Sequence, residues 1–144
     1  MGQTVSSEIP SEVEWQQLWF SLRSRDWRTI AVIGIDIAEL AAEATQRLAN
    51  VGMRDEKTPV DVISALDMSF QGTTALARQC QSMPRSSPTL IACKSPAEHP
   101  ATLPLLQAVS GIVLVVPLGA RLDTVRRVVE LAGRDKVLAT VSVG

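Results

Sequence analysis

The chain has 144 residues, of which 46% are hydrophobic and 20% charged, enough to bury one core and a balance that excludes disorder throughout. Its formal net charge of -1 gives no general attraction to nucleic-acid phosphates or anionic lipid, so no nucleic-acid partner is expected. Cys80 and Cys93 have no metal-ligand spacing and a single histidine, His99, to join them. That pattern argues against a zinc site and for two buried thiols in a reducing cytoplasm.

Residues 1–10 are polar and carry an acid, which reads as a flexible arm rather than a signal peptide. Met1–Ser6 fits the loose N-myristoylation pattern, a match we read as coincidence. Residues 11–144 then read as one domain. Ser11-Glu12-Val13-Glu14 has the serine and early acids of a helix start. Within Val13–Arg23, Trp15, Leu18, Trp19 and Leu22 fall at helical spacing, so an amphipathic helix is expected. Such a stripe either packs on the domain or forms a docking face for a partner, and two tryptophans keep the second use open.

From Thr29 the pattern changes to short apolar runs. Thr29–Ile35, Val60–Leu66, Thr89–Cys93, Gly111–Val116 and Val137–Val143 read as strands, mostly β-branched and apolar on both faces. Strands of that kind belong in parallel sheets covered by helices. Ile37–Asn50, Phe70–Met83, Thr102–Val109 and Leu122–Ala132 carry the alanine, leucine and charged residues suited to helices between them. Gly52–Pro59 and Ser95–Pro100 read as loops. The alternation predicts an α/β fold: a doubly wound, mostly parallel five-stranded sheet with helices on both faces. The longest apolar runs, Ile30–Ile35 and Ile112–Val116, are far shorter than the ~20 residues of a membrane helix.

Ligands of such sheets bind beyond the carboxyl ends of the strands. After the first strand, a phosphate-binding loop needs glycines, a lysine and a serine or threonine for Mg²⁺. Gly34-Ile35-Asp36-Ile37-Ala38-Glu39-Leu40 has one glycine, no lysine and two carboxylates. Acids there occupy the place of an anion. Asp67, ending the second strand, is placed for metal or general-base work, although an aspartate there more commonly caps the next helix. Glu98 and His99 pair an acid with an imidazole after the third strand, suited to proton transfer or simply to a solvated loop. Ser95 and Cys93 have no activating base that the sequence identifies.

The order of segments resembles the cytoplasmic ATPase domain of bacterial tyrosine kinases, which work with polysaccharide co-polymerases, and more broadly the partitioning-type P-loop ATPases. Glu14–Arg23 followed by Trp27–Gly34 is similar to that family's opening helix and strand. Thr89–Val116 resembles its Asp-x-Pro-Pro strand, next helix and following strand, and Leu122–Val143 its last helix and strand. The departures fall on catalytic positions. The lysines of the phosphate loop are missing, and Asp67 is only a loose counterpart of the second-strand aspartate. Ala92-Cys93-Lys94-Ser95-Pro96 lacks the Mg²⁺-holding acid, Gln17 and Phe20 stand about where the opening helix would carry arginines, and there is no tyrosine. The resemblance therefore implies a non-catalytic relative without a cofactor. It would be a regulatory or binding subunit in exopolysaccharide or cellulose synthesis or secretion, cytoplasmic and held near the inner membrane by a synthase or co-polymerase. Two other readings stay open: an α/β interaction scaffold in partitioning, cell division or signalling, and a nucleotide-binding enzyme with an atypical loop. Trp15, Leu18, Trp19 and Leu22 are the expected partner-binding residues, for another protein or a second copy. Asp36, Asp67, Glu98 and His99 are weaker candidates at strand ends.

Overall fold

A computed structural model describes residues 12–25, 27–82 and 88–143. The arm expected at residues 1–10, the Met1–Ser6 pattern and the helix-starting Ser11 lie outside these residues. The elements run α1 (Glu12–Arg23), β1 (Thr29–Gly34), α2 (Glu39–Asp55), β2 (Asp61–Ser64), α3 (Phe70–Ser82), β3 (Thr89–Lys94), α4 (Leu103–Ala108), β4 (Gly111–Pro117), α5 (Leu122–Ala132) and β5 (Val137–Val143).

The five strands form one sheet in the order β2-β3-β1-β4-β5, with every pairing parallel. All six residues of β1 are buried, as a strand at the centre of a covered sheet requires. From β1 the chain crosses leftward to β2, and every later crossover runs rightward. Right-handed crossovers in opposite directions lie on opposite faces of a sheet. The packing agrees. Alternate β1 residues Ile30 and Val32 join α1 and α2 in one core, whereas Ala31 and Ile33 join α3, α4 and α5 in the other. The molecule is a doubly wound α/β sheet of the P-loop-like kind.

Two expectations need correction. Helix α2 continues to Asp55 rather than ending near Asn50, so half of the loop expected at Gly52–Pro59 is helical. Tertiary contact overrides the glycine. A Cβ at Gly52 would lie 2.6 Å from Cζ2 of Trp19, so only glycine leaves room for that ring. The added turn is held to α1 from outside. Arg54 pairs with Glu12 and Asp55, and Gln16 donates to Asp55 at 2.9 Å. The Arg54 guanidinium holds the Asp55 carboxyl below its ordinary range. The second correction concerns β2, expected to be buried on both faces. It is an edge strand of four residues, three exposed and Ile63 half-buried, so its apolar run covers only one side.

At the opposite edge, β5 is anchored where it begins. Lys136 Nζ donates to the Leu106 and Gln107 carbonyls at 2.9 and 2.7 Å, a cation at the carbonyl-rich end of α4. The pairing of β4 with β5 is irregular between Ile112 and Val113, whose partners Val137 and Ala139 skip Leu138. The extra residue packs on Gly111, where a Cβ would lie 2.4 Å from its Cδ1.

Candidate functional site

The loop after β1 is the position at which this architecture would receive a ligand. Here it closes on itself. The Ile37 N–H donates to the Ile35 carbonyl at 2.7 Å, making a three-residue turn with Asp36 at its centre and φ at 63°. Aspartate tolerates this left-handed conformation better than most residues. Ile35 is fully buried, and its N–H donates to the Val115 carbonyl on β4 at 3.0 Å. The start of α2 then presses on Gly34, where a Cβ would lie 2.5 Å from the Ile37 carbonyl oxygen and 3.0 Å from the Ala41 nitrogen. The backbone of this loop and of the start of α2 thus approaches Gly34 closely, and the exposed side chains of Asp36 and Glu39 put negative charge beside it.

The other strand-end candidates are drawn into two ties between neighbouring loops. Asp67 is almost wholly exposed, and its carboxylate lies 3.9 Å from Lys94 Nζ at the end of β3. It does not cap α3. Ser69 does so, its hydroxyl accepting the Gly72 N–H at 3.1 Å, because it stands immediately before the first helical residue. His99 is half-buried, and its Nε2 donates to the Met68 carbonyl at 3.0 Å. That bond commits one ring nitrogen to holding the β2–α3 loop against the β3–α4 loop. Glu98 is exposed. The Glu98 and His99 N–H groups both donate to the Ser95 carbonyl, and the buried Ser95 hydroxyl accepts the Ala97 N–H at 3.3 Å. The segment is thus an ordered turn rather than a wholly solvated loop.

Cys93 is fully buried in the sheet and Cys80 nearly so, both as free thiols. Burial pushes the Cys93 thiol up to about 12, with the nearby Cys80 adding to the effect. A thiol that stays protonated is a poor nucleophile. Among the described residues, no group of three or more histidine, cysteine, aspartate or glutamate side chains could hold a metal ion.

The tryptophan stripe of α1 needs the clearest correction. Trp15, Trp19 and Leu22 are buried and Leu18 is half-buried, so the stripe faces the domain rather than a partner. Trp19 fills the notch over Gly52, donates its indole N–H to Glu56, and meets Trp27 edge-on at 6.2 Å between ring centroids. Trp27 in turn donates to the Leu22 carbonyl at 2.7 Å. Arg23 stacks over the Trp19 ring at 5.9 Å and pairs with Glu56 at 3.4 Å. Trp15 differs: its indole N–H is buried with no hydrogen-bond partner among the described residues.

Sequence reasoning missed Lys94, the cation between the second and third loops, although a lysine directly after an apolar strand was a signal for it. It also missed the apolar character of the carboxyl end of the sheet. Ile37, Phe70, Leu118 and Leu122 follow β1, β2 and β4 and are 45%, 60%, 76% and 62% exposed. Each stood at the margin of an element in sequence, where an apolar residue is easily assigned to the core. No helix among the described residues is long and apolar enough to cross a membrane. Compared with protein-family models, with curated proteins and with solved structures, the chain matches none of them.

Proposed function

We propose that this chain is a non-catalytic binding module, a P-loop-like domain whose ligand position has been given over to contact with another protein. The observation that carries the reading is the closed turn at Ile35–Ile37, backed by Gly34 and crowned by Asp36. A triphosphate brought to this end of β1 meets backbone where it needs N–H groups, and carboxylates where it needs a lysine. The exposed Ile37, Phe70, Leu118 and Leu122 at the same end of the sheet suit a protein surface better than a phosphate. Contact regions are marked by such apolar groups more than by charge. The resemblance of the segment order to the ATPase domains of bacterial tyrosine kinases directs the search for a partner to a polysaccharide synthase or co-polymerase at the inner membrane, with the chain as a regulatory subunit of exopolysaccharide or cellulose synthesis.

Titration calorimetry with ATP and Mg²⁺ tests the central point. The expected result is no binding heat. Saturable binding in the micromolar range would overturn the reading and restore a nucleotide-binding enzyme. For the partner, Leu118→Asp with Leu122→Asp should abolish co-purification with a co-expressed synthase or co-polymerase that the unaltered chain retains.

A further inference from the structure

All strands of this parallel sheet end on the same side of the molecule, so the loops after β1, β2, β3 and β4 share one surface with the first turns of the helices that follow them. From the last residue of each of these strands through the first turn of the next helix, the chain carries five acids, Asp36, Glu39, Asp67, Glu98 and Asp123, against two cations, Lys94 and Arg121. The whole chain has a net charge of only -1, so the excess of acid is concentrated here. Both cations are engaged, Lys94 lying 3.9 Å from Asp67 and Arg121 3.8 Å from Asp123. Asp36, Glu39 and Glu98 are exposed and, among the described residues, form no ion pair.

The exposed Ile37, Phe70, Leu118 and Leu122 belong to the same segments, Ile37 between Asp36 and Glu39 and Leu122 beside Asp123. This combination narrows what can cover them. An anionic membrane or a nucleic acid brings phosphates to uncompensated carboxylates and is repelled. A small polyamine satisfies the carboxylates and leaves the apolar side chains in water. A protein segment with cations beside an apolar stripe satisfies both.

The sheet also selects the conformation of that segment. β2 and β4 are three places apart in the strand order, which at about 4.8 Å per place sets their ends about 14 Å from each other. A segment lying across strand ends cannot join the sheet, because the ladder groups point sideways within the sheet and not off its end. It must satisfy its own backbone groups, as a helix does, and about ten helical residues cover the span.

We propose that a cationic amphipathic helix of a protein partner lies across this end of the sheet, its apolar stripe on Ile37, Phe70, Leu118 and Leu122 and its lysines or arginines beside Asp36, Glu39 and Glu98. The inference rests on the reading of this end as a protein contact and adds the chemistry of what binds there.

The probe is a labelled helical peptide of about 14 residues, with a leucine stripe and lysine at the remaining positions, titrated with the full chain by fluorescence anisotropy. Its twin has glutamate for every lysine. The lysine peptide should bind saturably in about the micromolar range, at least about tenfold more tightly than the twin, with the margin shrinking as salt is raised. Asp36→Asn, Glu39→Gln and Glu98→Gln together should weaken it about tenfold, asparagine being tolerant of the left-handed backbone at position 36. Removing as many exposed acids elsewhere, by Glu43→Gln, Glu130→Gln and Asp135→Asn, should change binding by less than about twofold. Leu118→Ser with Leu122→Ser should weaken the lysine peptide as well, with an unchanged circular dichroism spectrum in every variant. Equal binding of the twins, a loss that follows total charge and not position, or no binding of either peptide overturns the proposal. In those cases a chain that still ignores ATP and still co-purifies with a synthase or co-polymerase through Leu118 and Leu122 keeps the protein-contact reading, with a partner of other chemistry; binding of ATP removes both. A dimer that is lost on Leu118→Ser with Leu122→Ser, or pelleting with phosphatidylglycerol vesicles that is lost on the same change, also overturns it, since a second copy or a membrane then covers this end.

Discussion

The two helical layers are attached to the sheet by different means. The layer of α1 and α2 depends on one large wedge: Trp19 seated over Gly52, braced edge-on by Trp27 and tied by its N–H to Glu56. The layer of α3, α4 and α5 has no aromatic residue in its core, which is shared among aliphatic side chains, small residues and the thiols of Cys80 and Cys93. A core shared among many small contributions loses a little at each substitution, whereas a wedge in a notch concentrates the loss. Specificity of attachment is therefore greatest in the layer that carries α1.

The sharpest test is Trp19→Ala, which removes the wedge and the bond to Glu56 together. It should cost about 3–5 kcal/mol of unfolding free energy, measured by urea denaturation, while Leu106→Ala in the other layer should cost less. Equal costs would break the contrast. Filling the notch from the opposite side, Gly52→Leu should destabilise by about 1–3 kcal/mol or more, since Trp19 must give way. If the protein accepts that leucine without loss, the close approach of helix and ring is not what fixes α1.

The thiol layer has a signature in pH. Because the folded pKa of Cys93 is raised from its ordinary 9.0 to about 12, the unfolded chain ionises first. The stability that depends on this thiol is fully present below about pH 9 and is lost between there and pH 12, at about 1.4 kcal/mol per pH unit. Lys136, whose pKa is lowered by burial, works in the opposite direction over alkaline pH. The informative quantity is thus the difference between the chain and Cys93→Ala, measured by denaturation across about pH 8–11, of which about two units fall in the linkage range: the slope should be flatter in the variant. Identical slopes would show that the thiol is not held protonated. The smallest expected effect is at Trp15. Trp15→Phe removes a buried N–H that has no acceptor among the described residues, so it should be neutral or stabilise by about 1 kcal/mol, in contrast to its neighbour in the same stripe. A loss like that of Trp19→Ala would mean that the indole N–H has a partner.

The sheet was legible from sequence because parallel strands between helices must be apolar on both sides, and the runs at Thr29, Thr89 and Gly111 satisfy that condition. The edge strand β2 was legible as a strand but not as an edge, since Val60–Leu66 reads the same whether one face is covered or two. Periodicity also showed that Trp15, Leu18, Trp19 and Leu22 share a face without showing what the face meets. That answer lay in Gly52, thirty-three positions beyond Trp19 in the chain, where the glycine read as a helix end. The candidate site was legible for what it lacked, a lysine and a second glycine after β1. Its shape was not, because the turn through Asp36 depends on a backbone torsion that residue types alone leave open.

That turn bears on how such a chain could ever change its chemistry. Only four residues, Ile35–Ala38, join β1 to α2, and the helix already touches the strand through Gly34. Replacing Asp36 or Glu39 with lysine would alter the charge of the junction without making it longer. Recovering an anion cradle would need inserted residues that lift α2 from the sheet, and that movement would disturb the Trp19–Gly52 contact at the far end of the same helix. Point substitutions explore neutral ground here, and the way back to a phosphate-binding loop lies through insertions that first loosen the attachment of α1.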